Sequence, residues 1–146
     1  MLQLRDERAI MSGWMLVDGY SPINDPGISD DAHPRISIED ETQLRAELVR
    51  LAKMRPRMVF LNNESTTLYL RIGIGGPFAS IRCCKQDGEN GLAVANIVRA
   101  DAPIEFQIEG SQAGFWPKNL LPIEEAIDIV VHFFQTEQLA EWIKWE

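Results

Sequence analysis

Apolar residues recur along the chain at two different periods, and the change of period divides it into blocks. From Thr67 to Ile74 every second residue is apolar. Leu68, Leu70, Ile72 and Ile74 fall on one face, with Tyr69 and Arg71 on the other. A period of two predicts a half-buried strand. Gly75-Gly76-Pro77 marks a turn, and Phe78 to Lys85 supplies the return strand. Upstream, Met58-Val59-Phe60-Leu61 is a short apolar strand closed by the turn signal Asn62-Asn63. Downstream, Ile104, Phe106 and Ile108 point inward between outward Glu105, Gln107 and Glu109. Gly110 then turns the chain, and Gln112 to Trp116 can pair back.

Two segments carry the helical period. Leu44, Leu48, Leu51 and Ala52 form one stripe, behind acidic Glu39, Asp40 and Glu41 and before Pro56. Negative charge in the first turn suits the helix dipole, Ser37 or Asp40 can cap, and proline stops the pattern. This predicts a helix over 40–54. Pro122, Glu124 and Glu125 open a second helix over 122–136, with Ala126, Ile127, Val130, Val131, Phe133 and Phe134 as its apolar surface. Leu139, Trp142, Ile143 and Trp145 follow as an aromatic tail that must pack on something. Near the start, Trp14-Met15-Leu16-Val17 reads as a short strand, and the proline-broken stretch 21–34 as a loop. The expected fold class is α+β: one domain over 1–146, a twisted, mainly antiparallel sheet with two principal helices packed on it. At 146 residues the chain can bury a core of its own without disulfides or metal.

Composition changes the picture through charge. The net charge is −8, and residues 101–146 hold nine acidic side chains against Lys118 and Lys144. A nucleic-acid backbone would repel such a surface, so direct nucleic-acid binding is not expected, whereas a basic protein surface would attract it. Solubility alone also accounts for the excess acid. No apolar run reaches the length of a membrane span. Cys83 and Cys84 are neighbours that a strand would send to opposite faces, which predicts two free thiols in a reducing compartment, the cytoplasm.

Candidate chemistry is sparse. His33 and His132 stand far apart, no CxxC or HxxxH pattern occurs, and a metal centre is not expected. A Cys83–His132 nucleophile pair would need the fold to bring both together, and the ordinary alternative is a packed thiol and a helical histidine. Gly73-Ile74-Gly75-Gly76-Pro77 lacks the GK[ST] ending of a phosphate loop and precedes a strand. A tight connection between strands explains these glycines better. The chain therefore reads as a binding protein without catalysis or cofactor. Candidate contacts are the polar hairpin tip from Gln86 to Gly91 (Asp87, Glu89 and Asn90), outward Glu105 and Glu109, and Phe115-Trp116. Trp116 precedes Pro117, where a strand would end, and ordinary core packing is its alternative reading.

The order of motifs resembles a known family. Leu70-Arg71-Ile72-Gly73-Ile74-Gly75-Gly76-Pro77-Phe78 is followed by Ile104-Glu105-Phe106-Gln107-Ile108-Glu109-Gly110, then by Leu120-Leu121-Pro122-Ile123-Glu124-Glu125-Ala126. The chain closes on Phe133-Phe134-Gln135-Thr136 and Trp142-Ile143-Lys144-Trp145-Glu146. Together these resemble immunity family one of bacterial polymorphic toxin systems, over residues 58–146 with the helix at 40–57 compatible. The first 36 residues lie outside the likeness. Two departures fall after the second helix: Glu137 stands where the family has glycine, and Ala140-Glu141 where it has proline. The resemblance implies an antidote that binds and occludes a cognate toxin domain, typically a nucleic-acid deaminase, basic around its active site. It transfers a role rather than a contact list. The alternative is a regulatory or adaptor domain that binds another protein or a small ligand through its sheet.

Overall fold

The computed structural model describes residues 13–19, 35–85, 90–108 and 110–146. The fold is α+β. In chain order the strands are β1 (Trp14–Asp18), β2 (Arg35–Ser37), β3 (Arg57–Asn63), β4 (Leu68–Ile74), β5 (Phe78–Lys85), β6 (Asn90–Val94), β7 (Ile104–Ile108), β8 (Ser111–Phe115), β9 (Leu121–Pro122) and β10 (Lys144–Trp145). The helices are α1 (Glu41–Ala52) and α2 (Ile123–Thr136), and a 3₁₀ turn spans Pro117–Asn119. The sheet runs β10-β6-β5-β4-β3-β1-β2 with antiparallel neighbours throughout. The hairpin β7–β8 joins it through one parallel bridge, Arg57 to Gln107, on β3. Among the described residues no helix is long and apolar enough to cross a membrane.

The register sorts the side chains into two faces, because residues directly opposite on paired strands share a face. Leu16, Leu61, Leu70 and Cys83 align across the sheet, as do Val59, Ile72 and Ile81. Both rows are buried under α1 and α2, which contribute Leu44, Leu48 and Leu51, and Ile127, Val130 and Phe133. Trp14 closes one end, its ring 5.6 Å from Phe133 and 5.4 Å from Phe134. Asp40 caps α1 by accepting from the Gln43 amide at 2.8 Å, as the acidic start predicts. Arg45 links the helices through Glu41 and Asp128, at 2.9 and 3.1 Å, but these side chains are about half exposed and the pairs add little.

The opposite face carries the row Met58, Gly73 and Ser80. Phe106 of β7 lies over this row, and it forms a second, smaller core with Met58, Ala100, Phe115 and Leu120. The seat exists because residue 73 has no side chain. A Cβ there would strike Ser80 Oγ and come within 2.7 Å of the Phe106 ring. At the same corner a buried ion pair, Arg57 to Asp18 at 2.9 Å, holds the ends of β3 and β1 together.

Several boundaries differ from the sequence reading. The first helix spans 41–52 rather than 40–54, and the second begins after Pro122. β3 continues through Asn62-Asn63 instead of turning there, because both pair with β1. The predicted polar tip is shorter: Asn90 and Gly91 already belong to β6, paired with Cys84 and Cys83. The predicted loop 21–34 lies outside the described residues. The tail packs as expected through Ile143 and through β10, which pairs with β6, whereas Trp142 is 48% exposed.

Glu137, where the resembled family has glycine, caps α2 in the left-handed region at φ 59°. A side chain in that conformation costs about 1 kcal/mol, which glycine avoids. Glu137→Gly should therefore stabilise the chain by about 0.5–1 kcal/mol in urea unfolding. Gly73→Ala should act oppositely, lowering stability by roughly 1–3 kcal/mol through forced displacement of Phe106. An unchanged midpoint for G73A would mean that the hairpin is not seated as described.

Candidate functional site

Among the described residues both helices lie on one face, the other is partly covered by the β7–β8 hairpin, and a cavity of about 500 Å³ opens beside that hairpin. Its floor is Arg71, Arg82 and Leu92, aligned from β4 to β6, together with Met58 of β3. Its walls are Ala113 to Phe115 of β8, together with Trp116 and Asn119. Asn119 is buried and donates to the Ala93 carbonyl at 3.1 Å, while the Ala95 amide donates to the Lys118 carbonyl at 2.8 Å. These two bonds fasten the 3₁₀ turn to β6 and hold the wall upright.

The two arginines are direct cross-strand partners. Like charges in that position repel. The chain as a whole carries 22 acidic side chains against 14 lysines and arginines. Even so, neither Arg71 nor Arg82 forms an ion pair among the described residues. Arg71 stacks over the Phe60 ring, 5.7 Å from its centroid, and its buried Nε has no acceptor among the described residues. The cavity is thus a pocket of positive charge in an acidic protein.

The next row on this face, Tyr69 opposite Cys84, is half-buried to buried. Burial pushes the Tyr69 phenol upward, and the Cys84 thiol adds to the shift by its charge and a hydrogen bond. On the helix side, burial likewise raises Cys83. Both cysteines are free and buried, on opposite faces as predicted. His132 sits on α2 with its ring 5.0 Å from Trp142, edge to face.

The sequence-predicted contacts fall into three groups. Asp87, Glu89 and Glu109 lie outside the described residues, and of Asn90 only the backbone in β6 is described. Glu105, Phe115 and Trp116 are brought together around a second hollow of about 270 Å³. Phe115 is core, 7% exposed and edge-on to Phe106 at 5.8 Å, whereas Trp116 is 69% exposed. The core alternative for Trp116 is therefore corrected. Phe115 takes the inward position of β8, and the next residue points out.

The sequence reading did not single out Arg82, Ile97 or Val98. Ile97 and Val98 lie between β6 and β7 and are 66% and 53% exposed. Arg82 sits in a run whose alternation is unremarkable, and only its pairing with Arg71 makes it notable. Among the described residues no three His, Cys, Asp or Glu side chains are grouped to hold a metal ion. No family model matches the chain, and no curated protein matches it.

The phenol and thiol shifts have a consequence for pH. Both groups hold their protons more tightly folded than unfolded. Their contribution to stability is therefore complete below about pH 9 and is lost as pH rises through the raised values. Tyr69→Phe should remove the Tyr69 part of the phenolate absorbance titration, and Cys84→Ala should move that part to lower pH. A Cys84→Ala curve identical to that of the wild type would contradict the Tyr69–Cys84 contact.

Proposed function

We propose that the chain is an immunity protein that binds a cognate bacterial toxin domain, of the nucleic-acid deaminase class, and occludes its active-site groove. One observation carries the reading. Ile97, Val98, Trp116 and Trp142 are all large, apolar and exposed, on segments that hydrogen bonds tie together. Ala95 bonds to Lys118 two residues after Trp116, and Asn96 Nδ2 donates to the Trp142 carbonyl at 3.1 Å. Exposed apolar groups held near one another by a rigid frame are the usual anchors of a protein interface, tryptophan most of all. Exposed Asp101 and Glu141 beside these segments, and Glu105 of β7 at the hollow lined by Trp116, supply an acidic rim.

The mechanism that follows needs no reaction by this chain. An enzyme acting on nucleic acid presents a basic groove, and an acidic surface enters that groove in place of the phosphate backbone. Long-range attraction raises the encounter rate, and the apolar anchors slow dissociation. An interface of about 1,600 Å² is of the size such inhibition requires. The order of motifs described above supports the choice of partner. The arginine-floored cavity favours a second reading, a regulatory or adaptor domain that takes a small ligand on its sheet.

Co-expression with a cognate deaminase toxin domain should restore growth, and the two proteins should co-purify. Trp116→Ala combined with Ile97→Ala should weaken the complex by about 2 kcal/mol, roughly 30-fold, without lowering the unfolding midpoint. Charge reversal at Asp87 and Glu89 should slow association and flatten its salt dependence. Growth arrest that persists despite abundant folded protein would reject the antidote role.

A further inference from the structure

We infer that the cavity floored by Arg71 and Arg82 is a binding site for a small organic oxyanion, a phosphate or carboxylate carried on a planar body. The inference goes beyond toxin binding and names the ligand class of the second reading above, on which it rests.

Three features of the site converge on an anion. Arg71 and Arg82 face each other directly across β4 and β5, an arrangement that is unfavourable on its own. Neither is offset by a carboxylate among the described residues, although acids outnumber bases in the chain. One oxyanion between the two guanidinium groups accepts from the N–H groups that line the cavity and screens their repulsion. The Phe60 ring fixes the Arg71 plane from below, so the fork is held rather than free to swing into solvent.

The remaining walls specify the rest of the ligand. Leu92, Ala113 and Phe115 are apolar, and Trp116 stands at the rim with most of its ring exposed. An aromatic at the mouth of a charged pocket offers a stacking surface for a flat group. The volume of about 500 Å³ lies within the range of small-molecule sites and exceeds what an inorganic ion fills. Gly114 adds no side chain to the wall.

The purified chain alone suffices for the test, so the outcome is independent of any toxin. Calorimetric titration at low ionic strength would use adenosine monophosphate, citrate and pyrophosphate, with adenosine as the uncharged comparator. Saturable binding of adenosine monophosphate, absent for adenosine, is expected. Citrate and pyrophosphate then distinguish a carboxylate preference from a phosphate preference. Arg82→Gln and Arg71→Gln should each weaken binding by about tenfold or more. Without ligand, Arg82→Gln should leave the unfolding midpoint equal or higher, because it removes the facing charge. A purely structural arginine would lower it. Failure of all three anions to bind at millimolar concentration, or equal binding by wild type and both variants, overturns the inference. Equal binding of adenosine and its phosphate overturns it too, but leaves a ligand-binding role for the cavity standing.

Discussion

The contact of Phe106 with the bare backbone of Gly73 decides what the rest of the molecule can be. A sheet with helices on one side exposes its other side unless something covers it. Among the described residues the cover is the β7–β8 hairpin with Ala100 and Leu120, and Phe106 approaches the sheet where Gly73 has no side chain. The cavity, its arginine floor and the outward tryptophan are all consequences of a cover that reaches part of the way across.

That incomplete cover also explains how a strongly acidic protein keeps a local positive field. Net charge acts on a partner out to about the screening length, about 8–10 Å in physiological salt, and little beyond it. Inside a recess walled by protein, the nearest groups dominate, because fewer water molecules intervene. The outer surface and the recess therefore address partners of opposite sign. Toxin binding would draw on the first and a small anion on the second, with Trp116 at the border of both.

Much of this architecture is visible in the residue pattern, and the parts that are not have definite physical reasons. The strand at 68–74 and the helix at 41–52 announce themselves because each gathers its large apolar residues on one side; the other side of the strand is half-buried, a cover the alternation does not reveal. The alternation alone puts Tyr69 and Arg71 on the face opposite the leucines. β6 escapes the pattern: Asn90-Gly91-Leu92-Ala93-Val94 has weak strand propensity, and its form comes from pairing on both edges with β5 and β10. β10 is two residues long and is a strand only because β6 lies beside it. The arginine pair was illegible for a related reason. Positions 71 and 82 are eleven apart, and their facing depends on the register set by the Gly75-Gly76-Pro77 turn. Trp116 was open between two readings because inward and outward phase cannot be settled at a strand end without its partner.

The division of the interior into two unequal clusters has a bearing on how the protein fails under stress. Most buried apolar mass lies between the helices and the sheet, and that mass sets the temperature of global melting. Among the described residues the smaller cluster beneath the hairpin meets the main sheet through one parallel bridge, the side chains of Met58, Phe78 and Leu92, and the two bonds that fasten the 3₁₀ turn. Such a unit can lift away at a free-energy cost well below that of complete unfolding. Loss of binding on warming would then precede any change in helical content. Substitutions that toughen the helical layer would raise the melting point yet leave the functional lifetime of the molecule where it was.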